Sequence, residues 1–188
     1  MKHLIRLKVL ALAVACFAGA FLTAAESGEV LWQEDFSNFA KWKVSGPETL
    51  TAELDKEFSP GDTCLKYTFK VDDPASGFAW PQHIRYFRPA PAIPLDGNDC
   101  YLEFDAFYKP VKGGMKLAIS LKEIAAVKPP VFKLTPGAWT HVKEPIVGRK
   151  PGAKLSGYAF VIGRRSVKPD TEAVFYIKNI RVVRGEKF

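Results

Sequence analysis

Hydrophobic and polar residues alternate along most of this chain in short runs. In "CLKYTFKV", Leu65, Tyr67, Phe69 and Val71 share one side, while Lys66, Thr68 and Lys70 take the other. In "CYLEFDAFY", Cys100, Leu102, Phe104 and Ala106 form a packing side opposite Tyr101, Glu103, Asp105 and Phe107. A two-residue period marks an antiparallel strand with one packed and one wet face. The same pattern predicts strands in "EVLWQEDF", "TLTAEL", "GFAWPQHIRYF", "MKLAISL", "VFKL", "AWTHVKEPIV", "GYAFVIG" and "AVFYIKNIRVV". The joints between them, such as "SPGD", "LDGND" and "GRKPGAK", are rich in the residues that supply turn geometry. About ten strands with turns roughly every 8–12 residues predict an all-β fold, a two-sheet antiparallel β-sandwich. The one helical-looking stretch, "LKEIAAVK", is too short to stand alone and runs into Pro129 and Pro130. No internal repeat, low-complexity tract or linker divides the chain.

The N-terminus breaks the pattern. Lys2, Arg6 and Lys8 precede an apolar run from Val9 to Leu22, and small residues follow at Thr23, Ala24 and Ala25. These features predict a secretory signal peptide over residues 1–25, cut after Ala25 or Ala24, and a single domain over residues 26–188. The run is shorter than the ~20 residues of a spanning helix, which disfavours an uncleaved anchor. Lipidation at Cys16 is a third reading, but "AVAC" lacks the usual leucine three places upstream. A secreted location, periplasmic or extracellular, follows, with no transmembrane span expected in the mature chain.

Composition changes the picture in two places. The chain of 188 residues carries a net charge of +7, and loss of three basic residues with the signal leaves 24 basic against 20 acidic residues, a net charge of +4. That surplus is spread rather than gathered into a stripe, so no nucleic-acid partner is expected. Cys64 and Cys100 are the two cysteines of the mature chain, each opening a strand after a turn. An even count in an oxidising compartment predicts a disulfide between them, with two buried thiols as the alternative.

Several segments carry a resemblance together: "WQEDFSNFAKWKVS", "CLKYTFKV", "CYLEFDAFYKP", "LTPGAWTHVKEPI", "GYAFVIG" and "VFYIKNIRV". Their order resembles the non-catalytic carbohydrate-binding modules with a galactose-binding-like jelly-roll fold, over almost all of the mature chain. The resemblance implies a sandwich of two antiparallel sheets, sugar binding on a concave face or loop rim, and often a structural calcium. At the position where that family usually has an aspartate in its last strand, this sequence has Lys178. An ammonium group has no lone pair for a metal. The expectation is therefore no cofactor, and a vestigial calcium site in which Lys178 replaces the ion beside Glu34 and Asp35.

Catalysis has little support in the residues. Laminarinase-like retaining glycosidases place three acids along one strand, and "LEFDAFY" offers Glu103 and Asp105 but no third carboxylate. The mature chain has two histidines, His83 and His141, with no metal-type spacing, and it has no nucleophile elbow or phosphate loop. A glycoside hydrolase is the least favoured reading.

The candidate site is the busy side of "CYLEFDAFY", with Tyr101, Glu103 and Asp105, joined by residues of "GFAWPQHIRYF". In a regular strand Trp80 shares a face with Ile84 and is core, while His83 and Arg85 face the groove beside the acids. A bulge at Pro81 flips the upstream register and turns Trp80 into a groove platform. Either way the expected partner is a poly- or oligosaccharide, held by an aromatic ring and by Arg and carboxylate groups that read its hydroxyls. Trp32, Trp42 and Trp139 read as packing residues, His141 as a surface histidine, and Arg164 and Arg165 as a basic turn. The rival reading is a structural or cell-surface module that binds a protein partner through the same sheet.

Overall fold

The structure is a computed structural model that describes residues 28–45, 50–70, 82–85, 92–111, 116–121, 131–148, 150–163 and 172–188. Thirteen strands are described: β1 (Glu29–Gln33), β2 (Lys43–Ser45), β3 (Thr51–Asp55), β4 (Cys64–Lys70), β5 (Gln82–Arg85), β6 (Ile93–Pro94), β7 (Cys100–Tyr108), β8 (Lys116–Leu121), β9 (Val131–Phe132), β10 (Thr140–Pro145), β11 (Lys154–Leu155), β12 (Tyr158–Gly163) and β13 (Glu172–Arg184). All their pairings are antiparallel. Each of the ten strands expected from alternation contains an observed strand. The additions are β2 and the two-residue pair β6–β11, which are too short to leave a period. The "LKEIAAVK" stretch and the signal segment lie outside the described residues, apart from Leu121 at the end of β8.

Six strands form one sheet in the order β10–β7–β13–β4–β3, with β1 joined to the C-terminal half of β13. Five strands form the other, in the order β2–β5–β12–β8–β9. The inward residues of β7, from Cys100 through Leu102, Phe104 and Ala106 to Tyr108, are all buried, as their alternation predicts. They meet the second sheet through edge-on rings. Phe104 lies 5.7 Å from Phe132 of β9 and 5.3 Å from Phe160 of β12. Tyr158 of β12 meets Trp42 edge-on at 5.8 Å. The fold is therefore an all-β, two-sheet antiparallel sandwich with one continuous aromatic core.

The expected disulfide does not form: Cys64 and Cys100 are free and buried. Two physical reasons exclude it. Leu65 pairs with Ile177 while Cys100 pairs with Arg184, so the two cysteines flank β13 roughly 20 Å apart at ~3.3 Å per residue. A disulfide needs Cα atoms about 4.4–6.8 Å apart. They also point to opposite faces of the same sheet, Cys100 into the main core and Cys64 into a separate cluster with Val174 and Tyr176. Burial pushes both thiols up to about 11.

Two outcomes are expected. Phe104→Ala should lower unfolding stability by about 3–5 kcal/mol in urea denaturation, because it empties the ring contact between the sheets. Thiol titration of the purified mature chain without reductant should find Cys64 and Cys100 unreactive when folded and both reactive in denaturant. A mass unchanged by reduction should accompany that result.

Candidate functional site

The site is built on the outer face of the six-stranded sheet, and β13 organises it. This strand alternates regularly through Ala173, Phe175 and Ile177, all buried in the core. Its register against β7 then shifts between Lys178 and Arg181. Asn179 takes a left-handed backbone there, φ 53°, a conformation asparagine tolerates better than most residues. The extra residue keeps Ile180 and Val182 pointing inward, fully buried. It also brings Lys178, Asn179 and Arg181 to the outer face next to the two acids of β7.

Each acid sits between residues of both neighbouring strands. Glu103 lies opposite Lys143 of β10 and Arg181 of β13. Its Oε2 accepts from Arg181 Nε and Nη2 at 2.8 and 2.7 Å, and Lys143 Nζ stands 3.3 Å from Oε1. Asp105 lies opposite His141 and Lys178. Its Oδ1 is 2.8 Å from His141 Nδ1, and its Oδ2 accepts from Asn179 Nδ2 at 2.7 Å. Charged and hydrogen-bonded cross-strand pairs of this kind hold neighbouring strands in register. They also leave the oxygens of both carboxylates occupied by partners, which suits hydrogen-bond recognition better than proton transfer.

At the far end of this row the outer face turns aromatic. Phe58 stacks on Tyr176 at 3.8 Å with nearly parallel planes, and meets Phe107 edge-on at 4.8 Å. Trp139 closes the group, 5.7 Å from Phe107 and 5.9 Å from Phe58, and remains 36% exposed. Local geometry delivers Phe58. Asp55, at the end of β3, accepts the Glu57 and Phe58 backbone N–H groups at 2.8 and 2.9 Å, and this turn folds the ring down onto the sheet. Lys178 Nζ lies 4.6 Å from the Trp139 ring centre and bonds to Asp62 Oδ2 at 2.6 Å and Ser59 Oγ at 2.8 Å. The Lys178 ammonium in turn holds the Asp62 carboxyl below its ordinary range.

The structure gathers some of the expected residues and separates others. Tyr101, Glu103 and Asp105 do share the outer face of β7. Tyr101 is a wall rather than an open platform. Its hydroxyl donates to the Glu186 carbonyl at 2.9 Å, Lys143 Nζ lies 4.6 Å from its ring centre, and Phe188 packs edge-on against it at 5.3 Å. His83 and Arg85 do not join the acids. They belong to β5, whose neighbours are β2 and β12 in the other sheet, and they pair with Phe160 and Tyr158 respectively. A strand in one sheet cannot line the outer face of the opposite sheet, so the single groove expected from "GFAWPQHIRYF" and "CYLEFDAFY" is corrected to two separate surfaces. Trp80, Arg164 and Arg165 lie outside the described residues.

The expected vestigial calcium site is also corrected. Lys178 pairs with Asp62 and Ser59, not with Glu34 and Asp35. Glu34 is buried, with Oε1 accepting the Phe36 backbone N–H at 2.9 Å and Oε2 accepting the Tyr158 hydroxyl at 3.2 Å, so it links β1 to the opposite sheet. Asp35 is exposed and accepts the Ser37 N–H at 2.8 Å. Among the described residues no group of three or more His, Cys, Asp and Glu side chains is arranged to hold one. Trp42 is a packing residue as expected, buried against Phe36, Phe39 and Tyr158. Trp139, His141 and Lys143 were the residues sequence reasoning undervalued. The signal lay in "WTHVK", where these three alternate with Thr140 and Val142 and so share one side.

Acid should loosen this face. Asp62 is held low by Lys178, and Asp55 by the N–H groups of Phe58 and Glu57, Phe58 first. As pH falls, the unfolded chain protonates these carboxyls before the folded chain does. Their stabilisation is therefore complete above the ordinary aspartate range near ~4 and is lost as pH drops through the lower folded values. Urea unfolding measured from pH 6 to pH 2 should show Asp62→Asn less stable than the parent at pH 6 and equal to it at the acid end.

No protein-family model and no curated protein sequence matches this chain. Its fold does have solved counterparts. The C-terminal family 22 carbohydrate-binding module of Clostridium thermocellum Xyn10B is 16% identical and superposes with a TM-score of 0.53, over 86% of this chain and 98% of that one. The first family 27 module of Caldicellulosiruptor saccharolyticus, solved with mannohexaose, is 12% identical with a TM-score of 0.51, over 84% and 98%. A family 28 module specific for non-crystalline cellulose is 17% identical with a TM-score of 0.50, over 84% and 96%. At such identities the likeness is one of fold: this chain is a galactose-binding-like jelly roll of the kind that these carbohydrate-binding modules share.

Proposed function

We propose that this protein is a non-catalytic carbohydrate-binding module that engages a poly- or oligosaccharide along the outer face of the six-stranded sheet. The observation that carries the reading is the row Trp139, His141, Lys143 on β10 and its approach. It runs from a partly exposed tryptophan to a fixed imidazole–carboxylate–amide set and then to an ammonium group. Residues two apart on a strand repeat every ~6.8 Å, so the row extends ~14 Å, long enough for more than one sugar ring. An aromatic side chain offers the apolar C–H side of a pyranose a flat surface at low entropic cost. His141, Asp105 and Asn179 offer donors and acceptors already locked in place, so little ordering is needed when hydroxyls replace water. The resemblance to modules solved with mannohexaose or specific for non-crystalline cellulose supports the same class of ligand.

The state of the acids supports the non-catalytic part of this reading. Hydrolysis with retention needs one carboxyl free to protonate the leaving oxygen and a second free to attack. Glu103 is buried under Arg181 and Lys143, and Asp105 is bridged by His141 and Asn179. Secretion through a signal peptide over residues 1–25 belongs to this reading, since the ligand is an extracellular polymer.

Electrophoresis of the mature protein through gels containing soluble glucans, xylans, mannans or galactans tests the proposal. Retardation by at least one polymer is expected, with no release of reducing sugar. Trp139→Ala should weaken it by roughly thirtyfold, since truncating a central aromatic anchor costs about 2 kcal/mol. Loss of binding in Trp80→Ala with Trp139→Ala unaffected would move the site away from the Trp139 row. Indifference to every glycan would refute sugar binding.

A further inference from the structure

The outer face has a vertical order of charge that sugar binding alone does not require. Near its centre the acids are sunk and the cations stand above them, the reverse of the flanking pairs Lys178–Asp62 and Lys66–Glu53. Along the central strip the Glu103 and Asp105 side chains are 7% and 22% exposed, whereas Arg181, Lys143 and His141 are 32%, 41% and 55% exposed. A ligand laid on this strip therefore meets groups that donate before it meets groups that accept.

The least closely paired cation of the strip lies at the Tyr101 end. Both close contacts of Arg181 go to Glu103 Oε2, so one guanidinium already neutralises that acid. Lys143 is left with a long 3.3 Å approach to Oε1 and a ring contact to Tyr101. An ammonium has three donors, and this arrangement leaves most of them for a partner. Lys143 opens onto a cleft of about 550 Å³, walled by Tyr101, Arg184, Glu186, Gly28 and Gly185. A Cβ on Gly185 would make a tight 3.2 Å contact with the Tyr101 ring. Arg184 is matched by Glu29 at 3.0 Å and Asp99 at 3.3 Å, so it adds a guanidinium edge to the cleft wall without a net surplus. The Glu186 backbone carbonyl is taken by the Tyr101 hydroxyl.

We infer that the glycan recognised by this face carries carboxylates, and that a uronate carboxyl seats in the cleft on Lys143 beside the Tyr101 ring and Arg184. This inference rests on the sugar-binding proposal and names its ligand class. A carboxylate supplies the acceptors that the raised cations lack, and a charge-assisted contact at 2.7–2.9 Å is the expected form. A neutral sugar would leave Lys143 with the 3.3 Å contact to Glu103 Oε1 as its anionic partner at this end of the strip.

The test uses the mature protein and paired polymers. Polygalacturonate, alginate and glucuronoxylan are each compared with the same polymer after its carboxyls are reduced to alcohols, by affinity electrophoresis and calorimetry. The expected result is about tenfold tighter binding to at least one uronate polymer than to its reduced partner, weakening as salt rises. Lys143→Gln should remove about that tenfold preference, so that the variant holds the native and the reduced polymer alike. Equal binding to native and reduced polymers would overturn the uronate assignment and leave carbohydrate binding standing. A preference kept in full by Lys143→Gln would overturn the cleft as its seat. Equal retention by dextran sulfate and polyglutamate would overturn it too, by showing attraction to any polyanion. Binding to no polymer at all would overturn both proposals.

Discussion

The one-residue bulge in β13 is the constraint on which both sides of the molecule depend. The strand is flanked by β7 along one edge and by β4 and then β1 along the other, so any change in its register is felt across the sheet. A one-residue slip in a strand exchanges its two faces. If the strand ran regularly through Asn179 with no bulge, the run Ile180, Arg181, Val182 would present its arginine to the core and its two aliphatic side chains to solvent. The bulge prevents that, and the same step sets Arg181 over Glu103 and Asn179 over Asp105. Core packing and the outer-face network are two consequences of one backbone event.

The network explains why acids can lie deep in this face. Removing one partner of a buried pair costs several times what the pair itself contributes, since the survivor is left desolvated and unmatched. Glu103 escapes that cost by having two cations, one from each neighbouring strand. Asp105 does so with an imidazole and a side-chain amide. The sheet therefore carries fixed polar groups on a rigid platform instead of on loops, and such a surface loses little freedom when it binds. The aromatic end follows the same logic. The Asp55 turn holds Phe58, Phe58 supports Phe107 and Tyr176, and these leave Trp139 at the margin with part of its ring in solvent.

The division of labour between the sheets is the other general feature. Contacts such as Phe104 with Phe160, and the hydrogen bond from Tyr158 to Glu34, join the layers from inside. Glu34 had the composition of a metal ligand, yet it acts as an acceptor that turns the chain at Phe36, where φ is 59° and a backbone donor has to be satisfied.

Local alternation determined the strands, and did so well: all of β7 from Cys100 to Tyr108 was legible, including which side of it would be buried. Side-chain direction in a strand depends on nothing beyond position parity, so one sequence suffices to read it. Parity also explains the partial success with the site, because Tyr101, Glu103 and Asp105 had to share a face. What it does not carry is which strands are neighbours. That choice put β5 in the opposite sheet, taking His83 and Arg85 away from the acids. It set Cys64 and Cys100 on opposite faces of one sheet, and it gave Lys178 to Asp62 instead of Glu34. Partners more than a hundred residues apart, such as Lys178 and Asp62, are selected by the free energy of the whole packed arrangement, and only the tertiary structure decides them.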